Sequence, residues 1–525
     1  MQVLKFGGTS VGSPENIQLV KAIVLEKAKK DKVTVVVSAF QGITNKLILC
    51  AKKAAEGDKS YQNLLKEIAG QHNSTAKSLL TAKESTAVFQ ELSKLLAELE
   101  DILKGVFLVN EISPQSADKI SCYGEILSAH IISAYLAESN VTTRQLNPKE
   151  FIRTDSQHGK ANVDFKTTDA LITAYFKEAE QVNICPGFLA ADAKGKTTTL
   201  GRGGSDYTAA IIAAAVGVEA LEIWTDVSGM MTANPQYVKS AYAISEMSYE
   251  EAMELTHFGA KVLYPPAIQP VLKKGIPVLI KNTFAKDDAG TKIYATQKKA
   301  SQLITGLSSI EHIALINLSG TSMVGIPYFS HRLFQTLSVA KVSVVLITQA
   351  SSEHSICVAI NEEDLPAAEE AITHTFAYEL EQGFIDPLGI ETGLAIVALV
   401  GANMKDQIGV SGSMLSILGS NGVSVKAIAQ GSSEKNISVV IKKDQVKKSL
   451  NALHESFFLS EKKRVNLFIV GTGNVGKALL DQLRQQHPYL EKKHHLDVRI
   501  VGIANSKKML FEEEGIDLND PMKAL

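Results

Sequence analysis

The sequence predicts an α/β protein with a mostly parallel sheet, followed by two related α+β modules and a terminal βαβ unit. Strand and helix patterns alternate from the N-terminus to position 285. Farther on, one block of sequence recurs in a second copy, and a strand, a glycine turn and a helix follow from Lys463. Alternation favours parallel pairing, because the connection between parallel strands needs room for a helix.

The chain begins with the pattern around which the N-terminal part is organised. Val3–Phe6 predicts a strand, Gly7–Gly8 a tight turn, and Pro14 the opening of a helix. Val33–Ala39 predicts a buried strand whose carboxyl end runs into SAFQGITN at 38–45. Ligands of open α/β sheets collect at such ends, and glycine turns before helices suit phosphate groups.

Further strand ends carry similar loops. Residues 46–104 predict a helical excursion over the sheet, and Ala117–Ala137 predicts one helix containing SCYGEILS. The remaining predicted elements are a strand and turn at Val182–Leu189, a glycine loop and apolar helix at 200–218, a strand at Ala220–Trp224, two short helices within 248–274, and a strand at Pro277–Asn282. The loops LGRGGSD and TDVSG follow this same pattern.

Composition excludes several classes of protein. Of 525 residues, 45% are apolar and 21% charged, and the formal net charge of −2 gives no case for binding nucleic acid or an anionic membrane. The longest apolar run, near Ala209–Val218, is about half the length of a membrane span. Four scattered cysteines without metal-binding spacing, and a chain that begins directly with a strand, predict a reduced, cytoplasmic protein without a signal peptide.

An internal duplication defines the middle of the chain. Val342–Ile360 is repeated as Val423–Ile441, with Gln349 matching Gln430. A helix is expected before each copy (Tyr328–Ala340 and Met414–Asn421) and another after it, so each copy predicts a ferredoxin-like βαββαβ module. The predicted divisions are an N-terminal domain at 1–285, a polar linker at 286–302, module 1 at 303–390, module 2 at 391–460 and a terminal unit at 461–525.

Charged residues near the glycine loops suit phosphoryl transfer, which needs cations around the moving phosphate and carboxylates that orient them. Lys5 and Lys261 are candidate phosphate cations, and Arg202 is a candidate clamp for a carboxylate. Glu125 and Asp206 could hold a substrate ammonium or orient the lysines. Structural alternatives remain open: a solvated Lys5, an exposed Glu125, or an ion pair between Arg202 and Asp206.

Six motifs in order identify a family resemblance: KFGGTSV, SAFQGITN, SCYGEILS, LGRGGSD, WTDVSGMMTANP and MSYEEAMELTHFGAKVLYPP. They resemble those of the aspartate kinases of the amino-acid-kinase family, which implies an αβα sandwich. The duplicated modules resemble the paired ACT regulatory domains of these enzymes. With the terminal glycine motif, the order is similar to that of the bifunctional aspartokinase–homoserine dehydrogenases.

The resemblance implies an enzyme that phosphorylates the β-carboxylate of L-aspartate with Mg·ATP, an early step toward threonine, lysine and methionine. Magnesium would arrive with ATP, with no other metal. The catalytic residues implied are Lys5 and Asp206, and those implied for substrate are Thr44, Glu125, Arg202 and Ser205. Those implied for the nucleotide are Gly7, Gly8, Thr9, Ser10, Thr225, Asp226, Met231, Lys261 and Val262. Asp226 could instead cap a turn.

The nucleotide side departs from the family pattern. Met231 stands where a tyrosine is usual, and Asn234 and Gln236 replace an acid and an arginine. Tyr264 and Ile126 are further departures. These changes bear on contacts with adenine and ribose. A non-catalytic, threonine-binding regulatory protein is therefore an alternative, as is a kinase for another small acid.

The modules carry no catalytic constellation, but each places an amide at a strand end. Gln349 and Gln430 match glutamines that bind threonine in threonine-inhibited relatives, so the resemblance implies an amino-acid effector, with threonine favoured over lysine. An amide can accept from an ammonium and donate to a carboxylate. Alternatively, each glutamine caps its turn. The resemblance also implies a homodimer or homotetramer formed through the ACT modules.

The terminal unit carries the dinucleotide-binding pattern GTGNVG. The predicted NADP contacts are Gly471, Gly473, Asn474, Val475, Gly476 and Lys507. Lys507 and Lys508 follow the second strand, where an acid would favour NAD, so they indicate a 2′-phosphate. Because a dinucleotide domain needs about twice as many strands, we expect an incomplete Rossmann unit, without homoserine dehydrogenase activity. The remaining alternative is the N-terminal part of a bifunctional enzyme that also interconverts homoserine with NADP.

Overall fold

The structure is a computed structural model of the 525-residue chain. It describes all residues except 260–261, 296–302, 321–327, 350–354, 405–406, 432–434, 460–462, 495, 513–514 and 517–525. At 82–85, 403, 463–464, 491–494 and 497 only the backbone is described. Lys261, a predicted phosphate cation, lies outside the described residues.

The N-terminal unit, residues 1–295, contains eleven described strands. They are β1 (Gln2–Phe6), β2 (Val33–Val37), β3 (Thr143–Gln145), β4 (Arg153–Thr154), β5 (Val182–Pro186), β6 (Leu189–Asp192), β7 (Thr197–Thr199), β8 (Leu221–Thr225), β9 (Glu246–Ser248), β10 (Val278–Asn282) and β11 (Thr291–Tyr294). Eight form one sheet in the order β3-β5-β2-β1-β8-β10-β11-β9, and β4, β6 and β7 form a small second sheet. The predicted strands near 3, 33, 182, 220 and 277 are confirmed.

Ten α-helices are described in the same unit. They are α1 (Pro14–Ala28), α2 (Ile43–Ala55), α3 (Tyr61–Leu79), α4 (Ala82–Val109), α5 (Pro114–Ser121), α6 (Tyr123–Ala137), α7 (Phe165–Tyr175), α8 (Gly204–Val216), α9 (Tyr249–His257) and α10 (Pro265–Lys273). Pro14 opens α1 as predicted, with Ser13 as N-cap. The single helix predicted at Ala117–Ala137 is wrong in detail, because it is divided at Cys122 into α5 and α6.

Strand order places the important loops together. Pairing is parallel from β3 through β10, and β1 lies between β2 and β8. The earlier strands β2, β3 and β5 therefore lie on one side of β1, and the later strands, from β8 onward, lie on its other side. Such a reversal opens a crevice at the carboxyl ends of the strands, where ligands bind in α/β proteins. The loops after β1, β2, β5 and β8 all lie at this edge.

The predicted linker at 286–302 is wrong for part of its length. Residues Thr291–Tyr294 form β11, which pairs antiparallel with β10 and parallel with β9. Polar composition hid the strand, although alternate residues Thr291 and Ile293 are completely buried. The described part of this stretch therefore belongs to the N-terminal sheet.

The duplicated modules form one continuous sheet, order β13-β14-β12-β15-β17-β16. Its strands are β12 (Gly306–Ser319), β13 (Val344–Gln349), β14 (Ser355–Asn361), β15 (Gly389–Val400), β16 (Ala427–Gln430) and β17 (Asn436–Lys442). The associated helices are α11 (Phe329–Val339), α12 (Leu365–Thr375), α13 (Ala377–Glu381), α14 (Val410–Ser420) and α15 (Val446–His454). The helices predicted before each repeated block are confirmed, although α14 begins at Val410 rather than at Met414.

The fourth strand beside each module's three strands is part of the first strand of the other module. Residues 313–319 of β12 pair with β14, whereas 306–311 pair with the half of β15 that borders β17. The predicted βαββαβ order within each copy is therefore wrong, because each copy supplies βαββα and extends its first strand into its neighbour. The boundary predicted at 390/391 falls inside β15.

The duplication also extends to backbone conformation. His312, Tyr328 and Lys341 have left-handed φ angles of 59°, 60° and 59°. At the equivalent positions of the second copy, each residue is a glycine with a left-handed φ: Gly393, Gly409 and Gly422. Three matching left-handed positions show that both copies have the same turns. Only module 2 has glycine at these positions, the residue for which a left-handed conformation is least strained.

Residues of both duplicated modules pack directly on the N-terminal unit. His454, completely buried at the end of α15, contacts Thr232 through Nε2 at 2.9 Å. Glu251 of α9 is 3% exposed and accepts hydrogen bonds from Thr305 and from the Ala402 amide. Ser308 of β12 donates to two carbonyls near the end of α9. Buried polar groups therefore join the two units.

The terminal unit contains β18 (Lys463–Val470), α16 (Asn474–His494), β19 (Leu496–Ala504) and β20 (Met509–Phe511). Strands β18 and β19 are parallel, which confirms the predicted βαβ pattern, and β20 adds antiparallel to β19. Across the described parts of the chain, no helix has the length and apolar character of a membrane span.

Candidate active site

Lys5 lies at the centre of the candidate site. It belongs to β1, and its side chain is 12% exposed. Its Nζ lies 2.7 Å from Oδ1 of Asp206, in the first turn of α8. The ammonium is therefore neither a solvated strand-end group nor free to move. The predicted alternative of an Arg202–Asp206 pair is wrong, because Asp206 pairs with Lys5.

Two helices begin at this edge with their backbone donors uncapped. Gly42 precedes α2 and Gly203 precedes α8, both in left-handed conformation and both without a side-chain cap. The first N–H groups of a helix favour an anion when no side chain occupies them. The predicted residues Thr44 and Ser205 lie in these two first turns. Within LGRGGSD the Gly204 amide donates to the Gly201 carbonyl, and the first turn of α8 has no side-chain cap.

The loop after β1 packs tightly on the loop after β2. A side chain at Gly8 would begin 3.0 Å from the Ala39 carbonyl oxygen, and one at Gly12 would begin 3.1 Å from the Gly8 oxygen. The Gly7 amide donates to the Trp224 carbonyl, which brings the start of this loop beside Thr225. Glycines therefore allow three strand ends to meet closely.

Ser10 has a different position from the one predicted. It is completely buried, and its hydroxyl lies 2.7 Å from Thr283 Oγ1 and donates to the Trp224 carbonyl. Its direct contact with nucleotide is therefore a prediction that the geometry contradicts. Ser10 instead fixes the loop that carries Gly7, Gly8 and Thr9, all of which are partly exposed.

Glu125 is an unusual carboxyl group. It is 5% exposed on α6, and its Oε2 has no hydrogen-bond partner among the described residues. Burial raises the pKa of Glu125 to about 8, against smaller opposing effects that include the Ala39 amide and the charge of Lys5. The predicted alternative of an exposed helix residue is therefore wrong. An unpartnered buried oxygen near a cation suits a ligand that brings its own ammonium.

The position of Glu125 depends on close contacts of α6. A side chain at Gly124 would begin 2.7 Å from Ala39 Cβ, so only glycine lets the helix approach this loop. Ser128 donates to the Ser38 carbonyl at 2.8 Å. The motifs SCYGEILS and SAFQGITN, which lie far apart in the sequence, thereby form one wall.

Arg202 lies farther out than the other charged residues. It is exposed, and its guanidinium carbon is 5.6 Å from the ring centre of Tyr264. Gly203 lies directly against that ring, since a side chain there would begin 2.8 Å from it. The departure Tyr264 therefore supports the arginine loop. Val262, two residues before Tyr264, is partly exposed.

The predicted nucleotide residues lie beside the next strand end. Thr225 donates to its neighbour Asp226 at 3.1 Å, and Asp226 is exposed, which leaves both the turn-capping alternative and a ligand role open. Met231 forms an isolated antiparallel β-bridge with Ala243 and is partly buried. Asn234 accepts from the Gln236 amide at 3.0 Å in an exposed turn.

Phe188, which packs against the start of α8, has a backbone conformation that the sequence did not predict. Its φ is +75°, and its amide donates to Thr208 of α8 at 3.0 Å. Gly204 allows this packing, because a side chain there would begin 2.5 Å from the Phe188 ring. Non-glycine residues in left-handed backbone conformations are uncommon, and strained conformations of this kind cluster at functional sites. Only its place in CPGFL, a proline–glycine turn after a strand, could have suggested it.

The other predicted site residues lie in separate units. Gln349 and Gln430 end β13 and β16, the two outer strands of the six-stranded sheet, and both are exposed. Gln430 accepts from Ser411, in the first turn of α14, at 2.7 Å. A cleft of about 410 Å³ separates these edge strands from α9.

The predicted NADP residues surround the start of α16. Gly471 has a φ of +102°, and a side chain at Gly476 would begin 2.1 Å from its carbonyl oxygen. The turn therefore requires glycine at both positions. Gly473 precedes α16, which begins with Asn474 and the exposed Val475. The Lys507 amide donates to Asn505, so Lys507 lies in a tight turn after β19.

Comparison with known proteins agrees with this arrangement. The pattern described as the amino acid kinase family matches residues 1–282, and the ACT domain pattern matches 316–376 and 397–457. The offset between the two ACT matches equals the offset between Gln349 and Gln430, which confirms the predicted duplication.

Curated relatives include the chloroplastic bifunctional aspartokinase/homoserine dehydrogenase 2 of Arabidopsis thaliana, 34% identical over 98% of this chain. The chain spans 57% of that relative's length. The chloroplastic aspartokinase 1 of the same plant is 32% identical, with 87% of this chain and 80% of that protein covered. A crystal structure of E. coli aspartokinase III with aspartate and ADP has a TM-score of 0.72 and 28% identity, covering 87% of this chain and 100% of that one.

Proposed function

Because this chain belongs to the amino acid kinase family and carries a duplicated ACT domain, we propose that it transfers the γ-phosphoryl group of ATP to the β-carboxylate of L-aspartate. The products are β-aspartyl phosphate and ADP. The observation that carries the proposal is the Lys5–Asp206 pair between two uncapped helix N-termini. A fixed cation among open backbone donors suits a transferring phosphoryl group.

The substrate supplies the nucleophile, so the site needs no serine or cysteine. Lys5 neutralises charge on the moving phosphoryl group, and Asp206 holds its ammonium in place. Glu125 binds the amino group of aspartate, which donates a hydrogen bond to the unpartnered Oε2. Arg202 holds the α-carboxylate, with Thr44 and Ser205 as supporting donors.

The nucleotide occupies the side of β8. Gly7, Gly8 and Thr9 offer backbone donors to its phosphates, and Thr225 and Asp226 border them. Met231 and Val262 line the base side, and Lys261 is retained as a phosphate cation from the sequence motif. Magnesium arrives as part of Mg·ATP.

A coupled assay of ADP release tests the substrate. We expect ADP formation with L-aspartate, and little with L-glutamate or N-acetylglutamate, since one extra methylene would displace the reacting carboxylate from Lys5. ADP release with glutamate alone would reject aspartate as substrate. Calorimetric titration with ATP separates a catalytic chain from a non-catalytic one, which would give no heat at millimolar ATP.

We propose in addition that threonine inhibits this activity through the modules. Support comes from the equivalent glutamines at the two outer strand ends and from the polar contacts between module 2 and the N-terminal unit. Gln430→Ala should abolish inhibition without changing activity in the absence of threonine. Gln407→Ala is the matched control, as another exposed amide of module 2. Inhibition by lysine but not threonine would change the effector, and equal inhibition of both variants would reject Gln430.

A second proposal concerns the terminal unit. The close Gly471–Gly476 contact supports binding of a dinucleotide phosphate at the start of α16. NADP titration followed by fluorescence, with Gly476→Ala as the disruptive variant, tests it. An assay of homoserine oxidation on the same protein decides whether hydride transfer accompanies binding.

A further inference from the structure

A buried carboxylate outside the predicted site connects its parts. Asp118 of α5 is 3% exposed. It accepts hydrogen bonds from Thr199 Oγ1 at 2.6 Å, from the Gly159 amide at 2.9 Å and from His158 Nδ1 at 2.8 Å. Since an ionised carboxylate only accepts, His158 must carry its proton on Nδ1. A charge this buried is stable because several donors converge on it.

These donors belong to segments that lead to the two expected substrate contacts. Asp118 lies on the short helix before α6, which carries Glu125. Thr199 ends β7, and the chain continues from it to Arg202. The Thr199 carbonyl also accepts from Ala161 at 2.9 Å. One side chain therefore ties the helix that directly precedes α6 to the strand that leads into the Arg202 loop.

The third segment supports the arginine loop from behind. Gly201 has a φ of +71°, and a side chain there would begin 3.2 Å from Lys160 Cγ and 3.3 Å from the Gly159 oxygen. The Gly159 carbonyl and the side chain of Lys160 thus form the surface on which Gly201 lies. Asp118 fixes Gly159, and Gly159 in turn limits where Arg202 can be.

We propose that Asp118 is a positioning residue that sets the separation between Glu125 and Arg202, and so the fit of the amino-acid substrate. The inference rests on the proposed function. Lys5 is positioned independently, because Asp206 lies on α8, whose residues Ala209–Ala213 are almost completely buried. Loss of Asp118 should therefore affect binding of aspartate and leave binding of ATP unchanged.

Two variants and one control test this role. Asp118→Ala removes the acceptor and should raise KM for aspartate about tenfold or more, with KM for ATP changed less than twofold. Asp118→Asn should rescue most of the effect, because His158 can change tautomer and accept from the new amide. Asp192→Ala is the control: Asp192 is 2% exposed in the small sheet that contains Thr199, and it accepts from Ser156, Lys194 and Lys196 instead.

The outcomes separate the two proposals. An active wild-type enzyme whose Asp118→Ala variant keeps the normal KM for aspartate overturns the positioning role alone. Equal increases in the KM values for aspartate and ATP, or an increase in Asp192→Ala equal to that in Asp118→Ala, also overturn it, because they indicate general loosening. A wild-type chain without aspartate-dependent ADP release overturns the proposed function first. If Asp118→Ala does not fold, Thr199→Val takes its place, because it removes the 2.6 Å donor to Asp118, and the same outcomes support or overturn the role.

Discussion

The N-terminal unit and the duplicated modules treat buried carboxyl groups differently. In the modules, the buried carboxyl group of Glu379 is satisfied by the protein itself, through an ion pair with Arg332. In the N-terminal unit, Glu125 keeps an oxygen without a partner among the described residues. A buried acceptor left open costs free energy unless a ligand satisfies it. The difference supports a ligand site at Glu125 in the N-terminal unit and a structural role for the buried pair in the modules.

The largest effect should come from removing the central cation. Lys5→Ala should lower kcat for ADP release about 10³-fold, because no other described group takes its place beside the phosphoryl group. Lys27→Ala is the matched control: Lys27 also pairs with a buried carboxylate, Glu222, but at the far end of β8. We expect the control to lose stability and keep its kcat. Similar kcat losses in both variants would contradict a special role for the Lys5 end of the sheet.

Glu125→Gln should raise KM for aspartate about 10²-fold and remove its pH dependence. The wild-type carboxyl, with a pKa of about 8, must ionise to hold an ammonium. Affinity for aspartate should therefore improve as pH rises to about 8 and then level off. Initial rates from pH 6 to 9 measure this, and a flat wild-type profile would count against Glu125 as the ammonium site.

The same carboxyl should leave a signature in stability. Its native pKa of about 8 lies above the ordinary value of 4.5. Between these values the native state binds a proton that the unfolded chain has released, so this contribution to stability falls as pH rises through the window. At pH 9 the free energy of unfolding of Glu125→Gln should thus exceed that of wild type by on the order of 2 kcal/mol. At pH 4.5 the two free energies of unfolding should be equal. Denaturant titrations at both pH values measure the difference. The reverse order would show that Glu125 is stabilised as a carboxylate.

The junction of the two regions should give an intermediate effect. Glu251 accepts from Ser248, Thr305 and the Ala402 amide. Glu251→Gln replaces one accepting oxygen by a donor, which should cost about 2 kcal/mol of unfolding free energy and weaken threonine inhibition. Glu250→Gln is the control, since its pair with Lys435 is exposed and worth under about 1 kcal/mol. Unfolding curves and inhibition curves of both variants would decide whether coupling passes through Glu251.

The smallest effects should distinguish the two copies. Lys341 and Gly422 follow equivalent helices in the same left-handed conformation. Lys341→Gly should stabilise the protein by about 0.5–1 kcal/mol, and Gly422→Ala should destabilise it by about 1 kcal/mol. No described atom within 3.4 Å would meet a side chain at Gly422, so backbone strain alone is measured. Chemical denaturation of both variants tests this, and equal signs would show that the copies differ in more than this residue.

The linear sequence was sufficient to predict the local features of this protein. Strand and helix periodicity identified β1, α1, β2 and α8, because side-chain spacing repeats within a single element. The recurrence of Val342–Ile360 as Val423–Ile441 identified the duplication, and glycine loops marked the strand ends. Lys5 was identified from its own motif, as a cation at the end of a strand beside two glycines.

Tertiary structure alone decided which groups meet. The pairing of Asp206 with Lys5, the burial of Glu125 and the contacts of Asp118 join segments that lie far apart in the sequence. The strand at Thr291–Tyr294 and the shared sheet of the modules likewise depend on partners that periodicity does not specify. The physical reason is that burial, pairing and pKa are properties of contacts between distant segments, whereas spacing along the chain records only which face of an element each residue occupies.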